Sequence, residues 1–193
     1  MGNVVPYRSP RLRDERTAYL GMVVFLASWA MLFAALFFVY GGVRARMLVW
    51  PPTDLPRLPL LLPGLNLLLI AFSSAALQLG LASVRAGRAT LVRPALGTSV
   101  VLGAVFLALQ LVVWRQVYFA GLKPDTGPYA SAFYALTCFH ALHVVVGLFA
   151  LLWLTVFAHV LTPAKHLVLR LWAMYWHFVG VIWAVVYLTV YVV

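Results

Sequence analysis

The chain has 193 residues, of which 65% are hydrophobic and only 9% are charged, and its formal net charge is +10. Soluble domains are roughly 45–50% apolar and about 25% charged, so this composition excludes an ordinary soluble globule and, being so apolar, a disordered chain. A disulfide scaffold is excluded as well, because Cys138 is the one cysteine in the sequence. The class that remains is a polytopic helical membrane protein.

Long apolar runs divide the chain into candidate transmembrane helices. A spanning helix needs about 20 mostly apolar residues, and none of the qualifying runs has Asp, Glu or Lys near its centre. The runs are too long and too continuous for the alternating strands of about 10 residues that build outer-membrane barrels. The fold class is therefore predicted to be all-α, with a single transmembrane domain over 1–193. Five spans are predicted, at about 18–43, 60–84, 95–120, 129–161 and 166–193.

The first span is longer than the apolar region of about 7–15 residues in a cleaved signal peptide, so we expect an uncleaved anchor.

The segments between these spans are short. The first link carries Trp50-Pro51-Pro52 and three further prolines, and it is predicted to be extended or turned because proline cannot continue a helix. The link 84–94 reads as an arginine-rich turn around Gly87, and no link is long enough for a soluble domain.

Basic residues are distributed unevenly between the two sides that five spans create. Nine Lys and Arg residues fall on the side of the N-terminus and five on the other side. Cytoplasmic loops are enriched in these residues, so we predict a cytoplasmic N-terminus and a C-terminus outside. The net charge then reflects orientation and contact with anionic headgroups. Nucleic-acid binding is not expected, because no clustered basic face on a recognition fold is present.

The second span carries polar side chains at helical spacing. Asn66 and Ser73 share one face, as do Ser74 and Gln78. Polar and small side chains in membrane helices favour close contact with a neighbouring helix. We therefore expect this span to pack tightly against another one.

Three histidines lie near membrane depth in the fourth and fifth spans, at 140, 143 and 177. Three uses fit the residues alone: a haem between His177 and a fourth-span histidine, a copper site helped by Cys138 or Met174, and hydrogen bonds to neighbouring helices, water or lipid headgroups. The third use is the commonest one. The haem is disfavoured because His140 and His143 are three residues apart on one helix and would crowd the same haem face.

The fifth span also has an aromatic stripe, which consists of Trp176, Gly180, Trp183, Tyr187 and Tyr191. Gly180 leaves a gap in this stripe where another group could dock.

No nucleophile constellation, phosphate loop or pair of carboxylates is recognisable, and no span contains a carboxylate for a proton relay. A transporter would need inverted repeats or helices broken at the midplane, which the sequence does not show. The residues alone predict a five-helix protein that packs against a partner.

Two motifs in the fourth and fifth spans resemble a known family. The fourth span contains F-H-A-L-H-V at 139–144 with Gly147 after it, similar to the F-H-G-L-H-V…G signature of haem–copper oxidase subunit III. The fifth contains Y-W-H-F-V at 175–179 with Trp183 after it, similar to that family's Y-W-H-F-V-D-x-x-W element. The chain resembles the short, five-helix form. Further matches, in chain order, are Gly21-Met22 with Ser28, Trp50-Pro51-Pro52, Leu65-Asn66 with Ser73-Ser74, and Phe106 with Gln110.

The resemblance implies a non-catalytic subunit of a haem–copper terminal oxidase in a bacterial plasma membrane, supporting subunit I in aerobic electron transport and proton pumping. It implies subunit I, other oxidase subunits and membrane phospholipids as partners. Haem and copper would lie in the partner subunits, with bound phospholipid but no catalytic, cofactor-binding or metal residue in this chain. Alternatives that stay open are an accessory subunit of a nitric oxide reductase and a b-type membrane cytochrome. The residues implied as lipid-binding or structural are His140, His143, His177, Trp176, Asn66 and Gln110.

The sequence departs from the family pattern at three places where an acid is usual. Trp29 follows Ser28, Gly180 stands where the second motif has Asp, and Trp114 and Arg115 occupy the stretch after Gln110. These losses weaken any expectation of proton collection through membrane carboxylates. Packing against subunit I depends less on them, since van der Waals contact supplies most helix association in membranes.

Overall fold

The structure, a computed structural model, describes residues 10–50, 52, 55–158 and 166–192. This part of the chain is helical throughout, apart from short links, and contains no strand. Five helices are long and apolar enough to cross a membrane, which confirms the predicted all-α, five-span architecture. They are α1 (Pro10–Arg46), α2 (Leu61–Arg85), α3 (Ala89–Phe119), α4 (Pro128–Val156) and α5 (Leu167–Val186), and α5 continues into a π-helical segment, Tyr187–Val192.

Three predicted boundaries differ most from the observed ones, and the first is the start of α1 at Pro10 rather than near residue 18. Helix α3 begins at Ala89 rather than near residue 95, so Pro94 lies inside the helix. A proline in the first two turns removes a single early backbone hydrogen bond, which the helix tolerates. Helix α4 ends at Val156 rather than near residue 161. Phe157 and Ala158 follow it outside the α-helix, and residues 159–161 of the predicted span lie outside the described residues.

Helices α2 and α3 both end in a glycine turn of the Schellman type. After α2, the N–H of Arg88 donates to the Ser83 carbonyl at 2.9 Å, with Gly87 at φ 70° between them. After α3, the N–H of Leu122 donates to the Val117 carbonyl at 2.9 Å, with Gly121 at φ 104°. Glycine takes a positive φ without steric cost, so these two positions determine where the chain turns back.

The helices run alternately up and down, and α2 packs against α3 and α5 while α4 packs against α3 and α5. Helix α1 lies at the side of this four-helix group, in contact with α4 and α5. Ring contacts hold it at both ends. At one end the Arg170 guanidinium lies 5.2 Å from the Tyr19 ring centroid. At the other, Trp50 stacks edge-on against Tyr40 and Tyr129.

Candidate functional site

Trp176 of α5, one of the two fully buried tryptophans of the core, lies against a glycine on each of two neighbouring helices. A Cβ on Gly147 of α4 would lie 2.7 Å from the indole, and a Cβ on Gly103 of α3 would lie 2.9 Å from it. The indole N–H donates to the Ser73 hydroxyl at 3.0 Å. Trp176 therefore joins α2, α3, α4 and α5 in one layer.

Ser73 also joins α2 to α3 through a reciprocal pair of hydrogen bonds. Its hydroxyl donates to the Ser99 carbonyl at 2.8 Å, and the Ser99 hydroxyl donates to the Ser73 carbonyl at 2.9 Å. Both side chains are buried. These hydrogen bonds confirm the prediction that the polar face of the second span packs against another helix. Small side chains such as serine let two helix backbones approach closely.

Asn66 and Gln110 form a second polar link between the same two helices, further along. The Asn66 Nδ2 donates to the Gln110 Oε1 at 3.4 Å. Both amides are buried, and each has its other polar atom without a hydrogen-bond partner in the described structure. The contact orients α2 relative to α3 but leaves two amide atoms unsatisfied.

His140 of α4 lies in an aromatic enclosure. Its ring centroid is 5.1 Å from that of Trp183, 5.8 Å from that of Phe106 and 6.4 Å from that of Phe33. Neither ring nitrogen has a hydrogen-bond partner among the described residues. An imidazole in such surroundings is held in its neutral form, because burying an unpaired charge is far more costly than burying a neutral ring.

His143, one turn further on, faces α1. Its Nδ1 lies 2.5 Å from the Phe139 carbonyl oxygen, which can only accept, so Nδ1 carries a proton and donates. Its Nε2 has no hydrogen-bond partner among the described residues. Its ring centroid is 4.1 Å from that of Trp29, edge to face. Its own carbonyl accepts a hydrogen bond from the Tyr175 hydroxyl at 3.0 Å.

His177 lies elsewhere. It is half-buried on α5, and its Nε2 is 3.4 Å from the Gln78 Oε1 of α2, whereas His140 and His143 make their ring contacts with α1, α3 and Trp183. The fold therefore groups the two α4 histidines and places the third against a different helix. Across the described residues no three His, Cys, Asp or Glu side chains come together as a candidate metal site.

At the places that depart from the family pattern, Trp29, Gly180 and Trp114 each contact a neighbouring helix, whereas Arg115 is exposed. Trp29 packs on His143. Gly180 faces Ile70 and Ser74 of α2, each 3.6 Å from where its Cβ would be, so the gap in the aromatic stripe is filled by α2. The Trp114 indole donates to the Thr137 hydroxyl of α4 at 3.1 Å.

A cavity of about 380 Å³ opens at the end of the bundle where α1 and α5 begin. It combines two arginines, Arg16 and Arg170, with the apolar side chains of Leu20 and Leu167. Sequence reasoning did not find it, because its two walls are about 150 residues apart in the chain. The one signal was the presence of basic residues at the start of both spans. The remaining lining residues are Glu15 and Tyr19.

Sequence reasoning also missed the partners that complete the core. Ser99 and Gly103 contribute to the polar and aromatic layers, yet they belong to no motif. Ser99 and Gly103 were detectable as a polar and a small residue in an apolar span, but one sequence does not tell which face they occupy.

Comparison with known proteins gives consistent matches. The family model described as cytochrome c oxidase subunit III matches residues 14–193. Cytochrome c oxidase subunit 3 of a Synechocystis strain is 34% identical over 174 residues, covering 89% of this chain and 73% of that protein. The probable cytochrome c oxidase subunit 3 of Nocardia farcinica is 32% identical over 197 residues, covering 100% and 96%. The subunit 3 of Petromyzon marinus is 31% identical over 179 residues, covering 89% and 67%.

Proposed function

The chain belongs to the cytochrome c oxidase subunit III family, and from this membership we propose that it is held beside the catalytic subunit I in a bacterial plasma membrane. Its role is that of the structural subunit III of the oxidase. The observation that carries this conclusion is the extent of the match, which includes all five spanning helices. Haem and copper, on this proposal, lie in the partner subunits, which carry out the electron transfer and proton pumping.

The residues that match the family motifs support a structural role by their contacts. Trp176 is enclosed by neighbouring helices, and Asn66, Gln110, His140 and His143 are buried within the bundle. Side chains in these positions touch other helices and are not at the surface that lipid reaches. Among the six candidate residues, His177 is the half-buried one, and we assign to it a contact with lipid or with a neighbouring subunit.

The cavity between the starts of α1 and α5 is our candidate for a bound phospholipid. Arg16 and Arg170 offer two guanidinium groups to a phosphate, and Leu20 and Leu167 extend the lining toward an acyl chain. Arginine binds phosphate through paired N–H donors, and basic residues at the membrane surface attract anionic lipids. Glu15 lowers the net charge of the lining, which leaves one positive charge in excess.

Copurification tests the assignment to an oxidase. An affinity tag on this chain is expected to retain an oxidase subunit I, with its haem absorbance, from mild-detergent extracts. The same chain expressed without the partner subunits is expected to show no Soret band. A Soret band on the isolated chain would instead indicate the b-type cytochrome, and recovery of the large subunit of a nitric oxide reductase would replace the oxidase assignment.

Native mass spectrometry of the purified complex tests the phospholipid cavity. Replacing Arg16 and Arg170 together by Gln is expected to reduce the amount of bound anionic phospholipid, because both guanidinium groups are lost. The matched control is Arg115→Gln, an arginine in the second half of α3 that does not line this cavity. Equal lipid retention in the double variant and the control would contradict the proposal.

A further inference from the structure

Three unpaired polar atoms lie on neighbouring side chains inside the bundle. They are the Asn66 Oδ1 of α2, the Gln110 Nε2 of α3 and the hydroxyl of Tyr191 in the π-helical segment. The side chains are 0%, 1% and 7% exposed, respectively. Asn66 and Gln110 are in direct contact, and the Tyr191 hydroxyl interacts with the Gln110 amide but lies outside hydrogen-bonding geometry with it.

The unpaired atoms are chemically complementary. The Asn66 Oδ1 is an acceptor, the Gln110 Nε2 is a donor, and a tyrosine hydroxyl is both. Turning both amides over would not remove the problem, because one hydrogen bond would still join them and one oxygen and one nitrogen would still be free. A buried polar group without a partner destabilises the fold, so a third species is needed to satisfy the set.

A cavity borders one member of this set, Tyr191. A cavity of about 320 Å³ at the same end of the bundle is lined by Tyr191 together with Trp50, Arg57 and Tyr129. Tyr191 thus faces the cavity with part of its ring while its hydroxyl is near Gln110. π-helical turns are frequent at functional sites, and here the π-helical segment is the element that carries Tyr191.

We propose that Asn66, Gln110 and Tyr191 form a binding site for ordered water, which accepts a hydrogen bond from the Gln110 Nε2, donates to the Asn66 Oδ1 and bonds the Tyr191 hydroxyl. Buried waters typically make about three hydrogen bonds, and the site offers three polar partners. The water completes the polar contact between α2 and α3 and connects it to the C-terminal end of α5. The inference concerns this chain alone and does not depend on which subunit it accompanies.

A cryo-electron microscopy map of the purified complex, at a resolution that shows water, tests the site directly. Density is expected at hydrogen-bonding distance from at least two of the three atoms. It is expected to disappear in Gln110→Met and to weaken in Tyr191→Phe. The matched control is Tyr187→Phe in the same π-helical segment, whose hydroxyl faces Gly64; there the density should persist.

Three results would overturn the proposal. One is direct hydrogen bonding of the Tyr191 hydroxyl to either amide with no density between them. A second is density that persists unchanged in Gln110→Met. A third is occupation of the place by a lipid chain or by a side chain of a neighbouring subunit. Thermal unfolding adds a further readout: Tyr191→Phe should lower the melting temperature by about 2–4 °C relative to Tyr187→Phe, and equal melting temperatures would also count against the site.

Discussion

Trp176 shows how single residues set the packing of the whole bundle. Its indole is the common neighbour of Gly103 and Gly147, and its N–H is fixed by Ser73. The two glycines are needed because the space a Cβ would use is already taken by the ring. In the motif of the fourth span, the glycine after the two histidines therefore has a steric reason.

Gly147→Ala is expected to destabilise the protein by about 1–3 kcal/mol, the usual cost of adding a methyl group to a packed core. The new Cβ would lie 2.7 Å from two atoms of the Trp176 ring and 3.2 Å from Tyr175, and the fully buried indole has little room to move. Thermal unfolding of the purified protein in detergent measures the change.

Gly97→Ala in α3 is the control for this substitution, because nothing lies within 4 Å of the position its Cβ would take. It is expected to leave stability unchanged or to raise it slightly, since alanine favours helix over glycine. Equal melting temperatures for the two variants would show that Trp176 can shift and that the glycine is not required.

At the scale of elements, α1 differs from the other four helices. Of the residues in its most hydrophobic stretch, 6% are buried, compared with 33–50% of the residues in the corresponding stretches of the other helices. Phe33 is its most buried described side chain, at 1% exposure, and contacts the His140 and His143 rings of α4. The attachment of α1 therefore depends on few residues, and its outer face is left to lipid or to another subunit.

Phe33→Ala is expected to loosen α1 and to cost about 1–3 kcal/mol. This is less than the 3–5 kcal/mol typical of soluble cores, because in a membrane the alternative environment of the ring is lipid rather than water. Phe38→Ala, on the same helix but with an 83% exposed ring, is the control and should change the melting temperature little. If both variants melted alike, the contact with α4 would not be what holds α1.

At the scale of the whole molecule, the parallel arrangement of α1, α3 and α5 places their starts at one end. The cation–π contact of Arg170 with Tyr19 lies at that end, and Arg85 and Arg88 lie at the turn between α2 and α3 on the same side. The basic residues that outnumber the others on one side of the spans thus lie together at one end of the bundle. Which membrane face this end meets is a prediction from the positive-inside rule.

Reporter fusions test that orientation. Green fluorescent protein on the N-terminus is expected to fluoresce, because the N-terminus is predicted to be cytoplasmic, and alkaline phosphatase on the C-terminus is expected to be active outside. Exchanging the two reporters is the control and should silence both. An active phosphatase on the N-terminus would reverse the predicted orientation.

The membrane class, the number of helices and the family could all be predicted from the amino-acid sequence. Continuous apolar runs of more than 20 residues have few alternatives to spanning helices, and the histidine motifs are local patterns that can be read along one chain. The sequence also singled out Asn66 and the α4 histidines as unusual, because polar groups in an apolar span are conspicuous, and it singled out Gln110 through the resemblance to a family motif.

Which of these residues meet depends on how the helices are arranged in the fold. The fold places Ser99 opposite Ser73, Gly103 and Gly147 on the two sides of Trp176, His177 against Gln78 instead of the α4 histidines, and Tyr191 beside Gln110. The physical reason is that helical periodicity tells which residues share a face, whereas the neighbour of that face depends on the rotation and depth of each helix. Those are set by side-chain packing between segments far apart in the chain; Ser73 and Trp176, for example, are 103 residues apart.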